Sequence, residues 1–323
     1  MKILVAPLNW GLGHASRCVP LAQRFLDEGH EVILGGDGES LTLLRKHFPK
    51  QRYVYLAPLN LRYSAGRRQV WTMIKAIPKL IAWSFRDHAV LEAILREETI
   101  DRVVSDNRFG LYSSATECIY ITHQLHIFLP RGWRWAEGIA SRMHARIYAR
   151  FNKVWVPDFA EPEKSLSGEL SHPGEGVEYI GPLSRFENNP INRNNLSAPG
   201  YDTVAVLSGL EPHRTLLEKE VLARYRDTDE RVLIVQGLMN RPNTRIKRGN
   251  ITIMPYMPDD EVVSALSGAK HIIARSGYST IMDLAVLGLI HSPNGDPKTK
   301  IELIPTPGQP EQEYLATLFN KMQ

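Results

Sequence analysis

The chain has little of what marks a disulfide-built, metal-bound or membrane-spanning protein. Two cysteines, Cys18 and Cys118, are too few in 323 residues for a disulfide framework and lack metal-ligand spacing, which suits a reducing compartment. No long apolar run opens the chain: Met1 to Leu8 turns polar at Asn9, too short for a signal peptide or a membrane span, so the expected location is cytoplasmic. No repeat of fixed period and no low-complexity segment occurs. Acidic residues are missing between Glu39 and Asp87, where ten basic ones stand: Arg45, Lys46, Lys50, Arg52, Arg62, Arg67, Arg68, Lys75, Lys79 and Arg86. Such a field calls for solvent or an anionic partner.

What is present is ordinary globular composition, with 43% apolar and 23% charged residues, enough to build real cores. The length favours two domains. Net charge is +4, and the excess is N-terminal: residues 1–185 carry 24 basic against 19 acidic groups, and the remainder 15 against 16. Asn188 to Gly200 lacks periodicity and reads as a linker, which predicts domains at 1–185 and 186–323. Short apolar runs at 2–8, 31–34, 53–56, 101–106 and 118–122 alternate with helical stretches, and the rhythm restarts at 203–207, 231–235, 251–254 and 271–274. Alternation of this kind predicts two doubly wound α/β domains with parallel sheets, facing across a cleft.

In such sheets ligands sit at the carboxyl ends of strands, and four constellations stand there. The first is Asn9-Trp10-Gly11-Leu12-Gly13-His14, where Gly11 and Gly13 let backbone approach a ligand and His14, at the loop tip, can accept a proton from an attacking hydroxyl. The second is Ser105-Asp106-Asn107, whose carboxylate can orient His14 if the two strands are neighbours. His123, closing the next strand, belongs to the same side. The third is Ser208-Gly209-Leu210-Glu211-Pro212-His213-Arg214, a strand-to-helix turn with Pro212 suited to the first helical position and Arg214 adding charge, which can cradle a diphosphate. Arg275-Ser276-Gly277 repeats that turn and leads to Asp283. The fourth, Pro305-Thr306-Pro307-Gly308-Gln309 to Tyr314, feeds a helix with polar side chains in its first turn. Each of these also suits an ordinary cap or turn.

In order and spacing, these motifs resemble the inverting GT-B glycosyltransferases, with the closest likeness to MurG-type N-acetylglucosaminyltransferases and other nucleotide-sugar glycosyltransferases behind them. The resemblance spans nearly the whole chain. It implies a UDP-sugar co-substrate with no further cofactor, an acceptor hydroxyl on a lipid-linked molecule, an acceptor-binding first domain and a donor-binding second. By matching position it implies His14 as base and Asp106 as its support. Arg185 and Ser208 match contacts to donor phosphates, Met257 a backbone reader of uracil, Asp283 a ribose ligand, and Gln312 with Glu313 a pair at the donor sugar. The chain departs from the pattern at Leu12, which interrupts the glycines, at Glu313, where a second Gln is usual, in the polar stretch His291 to Lys300, and after Gln323, about a helix early.

No metal is expected: Asp227-Thr228-Asp229 looks like a metal-binding pair but stands in a loop before an apolar run. Two segments, 68–86 and 131–150, interleave Trp and aliphatic residues with Lys and Arg, which suits an anionic membrane surface at the inner face of the cell membrane. No nucleic-acid-binding module is recognisable. Rival readings are a dinucleotide-dependent oxidoreductase with Gly11 and Gly13 at the pyrophosphate and Asp37 at the ribose, a nucleotide-sugar epimerase, and a non-catalytic binder of sugar nucleotides or lipid headgroups.

Overall fold

A computed structural model describes residues 1–59, 69–187, 200–209, 211–239, 241–290 and 299–320, with the side chains of 69–74 and 320 left aside. The linker expected at Asn188 to Gly200 and the insertion expected at His291 to Lys300 fall almost wholly outside these residues. So do Arg62, Arg67 and Arg68 and the side chains of Val70, Trp71, Met73 and Ile74 in the basic segment.

The chain divides into two compact units, Met1–Leu183 and Ser184–Gln323. The division falls two residues before the 185/186 boundary read from the sequence, because Ser184 and Arg185 bond within the second unit, to Asp283 and Asp259.

Unit 1 runs β1 (Lys2–Pro7), α1 (Gly13–Asp27), β2 (Glu31–Gly36), α2 (Gly38–His47), β3 (Arg52–Tyr55), α3 (Gln69–Glu97), β4 (Arg102–Asp106), β5 (Glu117–Ile121), α4 (Glu137–Tyr148), β6 (Lys153–Val156) and β7 (Glu178–Tyr179). Its sheet has the order β3-β2-β1-β4-β5-β6-β7, and every pair is parallel. A parallel sheet covered on both faces needs apolar side chains on both. Ile3, Leu4, Val5, Ile33, Val103, Val104, Ile119 and Tyr120 accordingly lie buried in consecutive positions.

Unit 2 runs β8 (Thr203–Val206), α5 (His213–Tyr225), β9 (Val232–Val235), β10 (Ile246–Arg248), β11 (Ile251–Met254), α6 (Asp259–Gly268), β12 (His271–Arg275), α7 (Tyr278–Val286), β13 (Lys300–Ile304) and α8 (Pro310–Asn320). The order is β10-β11-β9-β8-β12-β13, parallel except for β10 against β11. Its core gathers Ala205, Leu217, Val221, Val232, Ile234, Ile253 and Ile273.

Four strands escape a reading of apolar runs. β10 is Ile-Lys-Arg and exposed throughout. β13 alternates, burying Ile301 and Leu303, while β6 and β7 are short, with β7 at the sheet edge.

Strand order reverses at one place in each sheet. In unit 1 it is between β1 and β4, and in unit 2 between β8 and β12. These crevices are where doubly wound sheets bind ligands, and the turns singled out above follow those four strands.

Candidate functional site

In unit 1 the parallel register sets Pro7 beside Asp106, and the Leu8 amide donates to the Asp106 carbonyl at 2.8 Å. The chain then turns through Gly11, whose φ of +76° is a left-handed conformation that side-chain-bearing residues rarely adopt. Helix α1 begins immediately, at Gly13. His14 therefore sits in the first helical turn and not at a loop tip, as the apolar periodicity starting at Val19 suggested. Helical backbone at that point holds the imidazole more firmly than a loop would. Its Nδ1 lies 2.8 Å from Asp106 Oδ1, and the carboxylate is fully buried. With Nδ1–H donating to the carboxylate, the lone pair resides on Nε2, on a side chain still 17% exposed.

Sequence reasoning missed Arg17. It lies one turn beyond His14 on the same helix face, at the i+3 spacing, a signal hidden while residues 9–16 were read as a loop. Its Nε donates to Asp106 Oδ2 at 2.5 Å, and its Nη2 donates to Oδ1. Nη2 also lies 3.0 Å from His14 Nδ1, and Nη1 lies 3.2 Å from Nδ1 of the buried His123. The Cys18 thiol points at Asp106 Oδ2 from 3.6 Å. Burial alone would push the Asp106 carboxyl up, but the charge of Arg17, then His14 and the bonds from both, hold it well below the usual carboxylate range. The same burial, with Asp106 beside it, pushes the Cys18 thiol well up, so it is no nucleophile at neutral pH.

A second buried network closes the rest of this crevice. Arg108, fully buried, donates to both oxygens of Asp87 at 2.8 and 2.9 Å and to Asp37 at 3.0 Å, and lies over the Trp83 ring at 5.0 Å. Asp37 also accepts from Asn9 Nδ2 at 2.8 Å. The acid that a dinucleotide reading assigns to a ribose is thus buried and already paired on both oxygens. Asn107 adopts φ of +56°, a left-handed turn after β4 that Asn tolerates, and its Oδ1 accepts from Tyr120 at 2.7 Å.

In unit 2 the singled-out residues form separate groups. Ser208 is half-buried after β8, and Gly209, at φ of +96°, is exposed with no atom within 4 Å of where a Cβ would stand. Pro212 caps α5 from one residue outside the helix and does not occupy its first turn. Arg214 is buried and turned to Glu211 at 2.8 and 2.5 Å and to Glu218 at 2.9 Å, so two carboxylates already answer its charge and leave little for a diphosphate.

The buried Ser276 donates from Oγ to the Gln312 carbonyl at 2.8 Å. Gly277 caps α7, and a Cβ there would stand 4.0 Å from Gln312 Nε2. Gln312 Oε1 accepts from the Thr306 amide at 2.9 Å, and Glu313 accepts from the Gly308 amide at 3.1 Å. These four residues make one corner where β12, the β13–α8 turn and α8 meet. Another group joins Asp283, Ser184, Arg185 and Asp259: Ser184 Oγ donates to Asp283 at 2.5 Å, and Arg185 Nε lies 3.4 Å from Asp259. Burial pushes the Asp283 carboxyl up to about 6, against the charge of Arg185 and the Ser184 bond. Met257 is half-buried in the turn between β11 and α6.

The basic segments are helical where described. On α3, Ile77, Ile81 and Phe85 are exposed in one stripe beside exposed Lys75, Lys79 and Arg86. Trp83, which the sequence suggested for the outer face, is buried and donates from Nε1 to the Ala57 carbonyl at 2.8 Å. Trp135, Ile139 and Met143 form a similar exposed stripe leading into α4, with Arg131, Arg134, Arg142 and Arg146 exposed around it. Among the described residues no helix is long and apolar enough to cross a membrane, and no group of three or more His, Cys, Asp or Glu is placed to hold a metal ion. Asp227 and Asp229 lie in the turn between α5 and β9.

No family model matches the chain. An uncharacterized glycosyltransferase of Methanosarcina acetivorans is 26% identical over 99% of this chain and 84% of its own length. Another, of Methanosarcina mazei, is 27% identical over 90% and 78%. Among solved structures, the spinosyn rhamnosyltransferase SpnG superposes with a TM-score of 0.60 at 13% identity, covering 100% of this chain and 84% of that one. Phytolacca americana UGT2 complexed with UDP-2-fluoro-glucose and pterostilbene superposes with a TM-score of 0.58 at 15% identity, covering 99% and 83%. The fold is the α/β, parallel-sheet architecture of GT-B glycosyltransferases along the whole chain. The relatives support glycosyltransferase activity and favour none of the rival readings.

Proposed function

We propose that the protein transfers a sugar from a UDP-linked donor to an acceptor hydroxyl with inversion at the anomeric carbon. The observation that carries this reading is the 2.8 Å contact between His14 Nδ1 and the buried Asp106 carboxylate at the strand-order reversal of unit 1. In the proposed step, His14 Nε2 takes the acceptor proton while the acceptor oxygen forms a bond to the anomeric carbon. The bond from that carbon to the diphosphate breaks, its electron pair leaving with the diphosphate, and Asp106 stabilises the imidazolium. One displacement suffices, without a covalent intermediate. Unit 2 supplies the donor side: Ser208 and the open turn at Gly209 offer main-chain groups to the diphosphate, the Ser276–Gly277 corner with Gln312 and Glu313 lies at the sugar, Met257 at the base and Asp283 at the ribose. Arg185 stands beside Asp283 as the remaining cation of that group. Gly11, Gly13 and His123 border the acceptor.

The acceptor we propose is lipid-linked, of the kind MurG-type enzymes use, on an anionic membrane surface. The two exposed apolar stripes, each ringed by cations, support this, since aromatic and aliphatic groups enter the headgroup layer while Lys and Arg meet anionic lipid.

The test is a screen of the purified chain against nucleotide sugars, with mass spectrometry of released UDP and product. UDP is expected to raise the melting temperature and NAD to leave it unchanged. Sedimentation with vesicles is expected to rise with anionic lipid and fall with salt. A chain stabilised by NAD and not by UDP would overturn the function, and equal binding to neutral and anionic vesicles would overturn the membrane part.

A further inference from the structure

We infer that Arg17 is a positioning residue of the transfer step: it locks the Asp106 carboxylate in the plane that meets His14. The inference rests on His14 being the base. Three features of the geometry point to it.

The first is the fork. Arg17 meets Asp106 through two parallel bonds, Nε to Oδ2 and Nη2 to Oδ1, an arrangement available to arginine and not to lysine. Oδ1 is also the oxygen that receives His14 Nδ1. Rotating the carboxylate would break both fork bonds together with the imidazole bond, so the fork decides where the Nδ1 proton points.

The second is burial. The side chains of Asp106 and Arg17 are 0% and 2% exposed, so solvent screens neither charge from the imidazole. Arg17 Nη2 also stands 3.0 Å from His14 Nδ1, so fork, carboxylate and imidazole form one buried cluster. Cys18 on α1, His123 after β5 and the buried Tyr120 of β5 also face the cluster. Burial pushes the thiol and the phenol well up, so both stay neutral.

The third is origin. His14 and Arg17 come from one turn of one helix, and Asp106 from the strand beneath it. A residue serving only to dock α1 onto β4 would not need to share an oxygen with the histidine.

The test uses the full chain with labelled histidines, the His14 signal being assigned by its loss in His14→Gln. In Arg17→Gln the fork and the charge are removed while Asp106 stays. The strongly hydrogen-bonded Nδ1 proton of His14 is expected to be lost from the spectrum. In Arg17→Lys the charge stays and the fork goes: the Nδ1 proton is again expected to be lost, and release of UDP from UDP-N-acetylglucosamine or UDP-glucose slows about tenfold. A Lys variant that keeps the Nδ1 proton signal overturns the positioning role, and this arm decides it even if the Gln variant does not fold. Should His14→Gln turn over like the wild type, the base reading fails separately, since the spectra report Arg17 acting on His14 without any substrate.

Discussion

The two units are built on the same plan and place comparable turns at the point where strand order reverses, yet they present opposite kinds of chemistry there. At β1 and β4 of unit 1, charged side chains meet one another: His14, Arg17 and Asp106 share a buried carboxylate, and Arg108 ties Asp37 to Asp87 nearby. At β8 and β12 of unit 2, polar side chains are spent on the scaffold. Ser276 holds Gln312, Gln312 holds Thr306, and Arg214 is held by Glu211 and Glu218. What unit 2 leaves open is main chain, as at Gly209. Under the proposed function the contrast has a physical reason. A base must hold one proton on one atom in one direction, which calls for fixed charges at short range. A diphosphate spreads its charge over many oxygens, and amides at a helix start suffice.

The comparison breaks most readily in turnover. His14→Ala is expected to slow transfer by about 10² to 10⁴, the usual cost of a positioned base, and to leave UDP affinity unchanged. A parallel fall in affinity, read by calorimetry, would mean that the units do not divide acceptor chemistry from donor binding.

Stability offers a sharper form. Asp106→Ala takes the buried carboxylate away from Arg17 and His14, at an expected cost of about 3 to 5 kcal/mol to unit 1. Ser276→Ala removes one neutral bond to a carbonyl, at about 1 kcal/mol to unit 2. All six tryptophans precede residue 184, so denaturation followed by tryptophan fluorescence reads unit 1 and backbone circular dichroism reads both. Equal costs would dissolve the contrast.

A further effect concerns pH. The Asp283 carboxyl binds its proton more tightly folded than unfolded, with a folded value of about 6 against an ordinary one near 3.8. The folded form therefore holds more protons across that window, and stability contributed by this group is present below about pH 4 and lost as pH rises through 6. Asp283→Asn should flatten the decline in unit 2, on the order of 2 kcal/mol between pH 4 and 7, in melts followed by circular dichroism. A slope unchanged in the variant would place the titration elsewhere.

Much of the scaffold could be read residue by residue. Buried strands announced themselves as consecutive apolar residues, and the glycines after β1 were read as open backbone where the structure turns left-handed at Gly11. The strands that did not were short, alternating or exposed, such as β10. The helix start at Gly13 was hidden because the polar residues His14, Ser16 and Arg17 interrupt the apolar periodicity that marks a helix. Trp83 looked like a surface aromatic among cations until the fold supplied Arg108 and the Ala57 carbonyl as its neighbours.

The sequence by itself determined the two-unit parallel α/β plan and the polar turns at strand ends, because hydrophobic periodicity and turn chemistry are local properties. Which of those polar groups stay available for a ligand was decided by tertiary structure alone. His14 and Asp106 stand 92 positions apart, and only the order β1 beside β4 makes them partners. The same packing delivered Arg17 to Asp106 and consumed Arg214 and Ser276 elsewhere. A side chain's reach is a few ångströms, so its bonding partner depends on which strands and helices are neighbours, and that is a property of the folded chain as a whole.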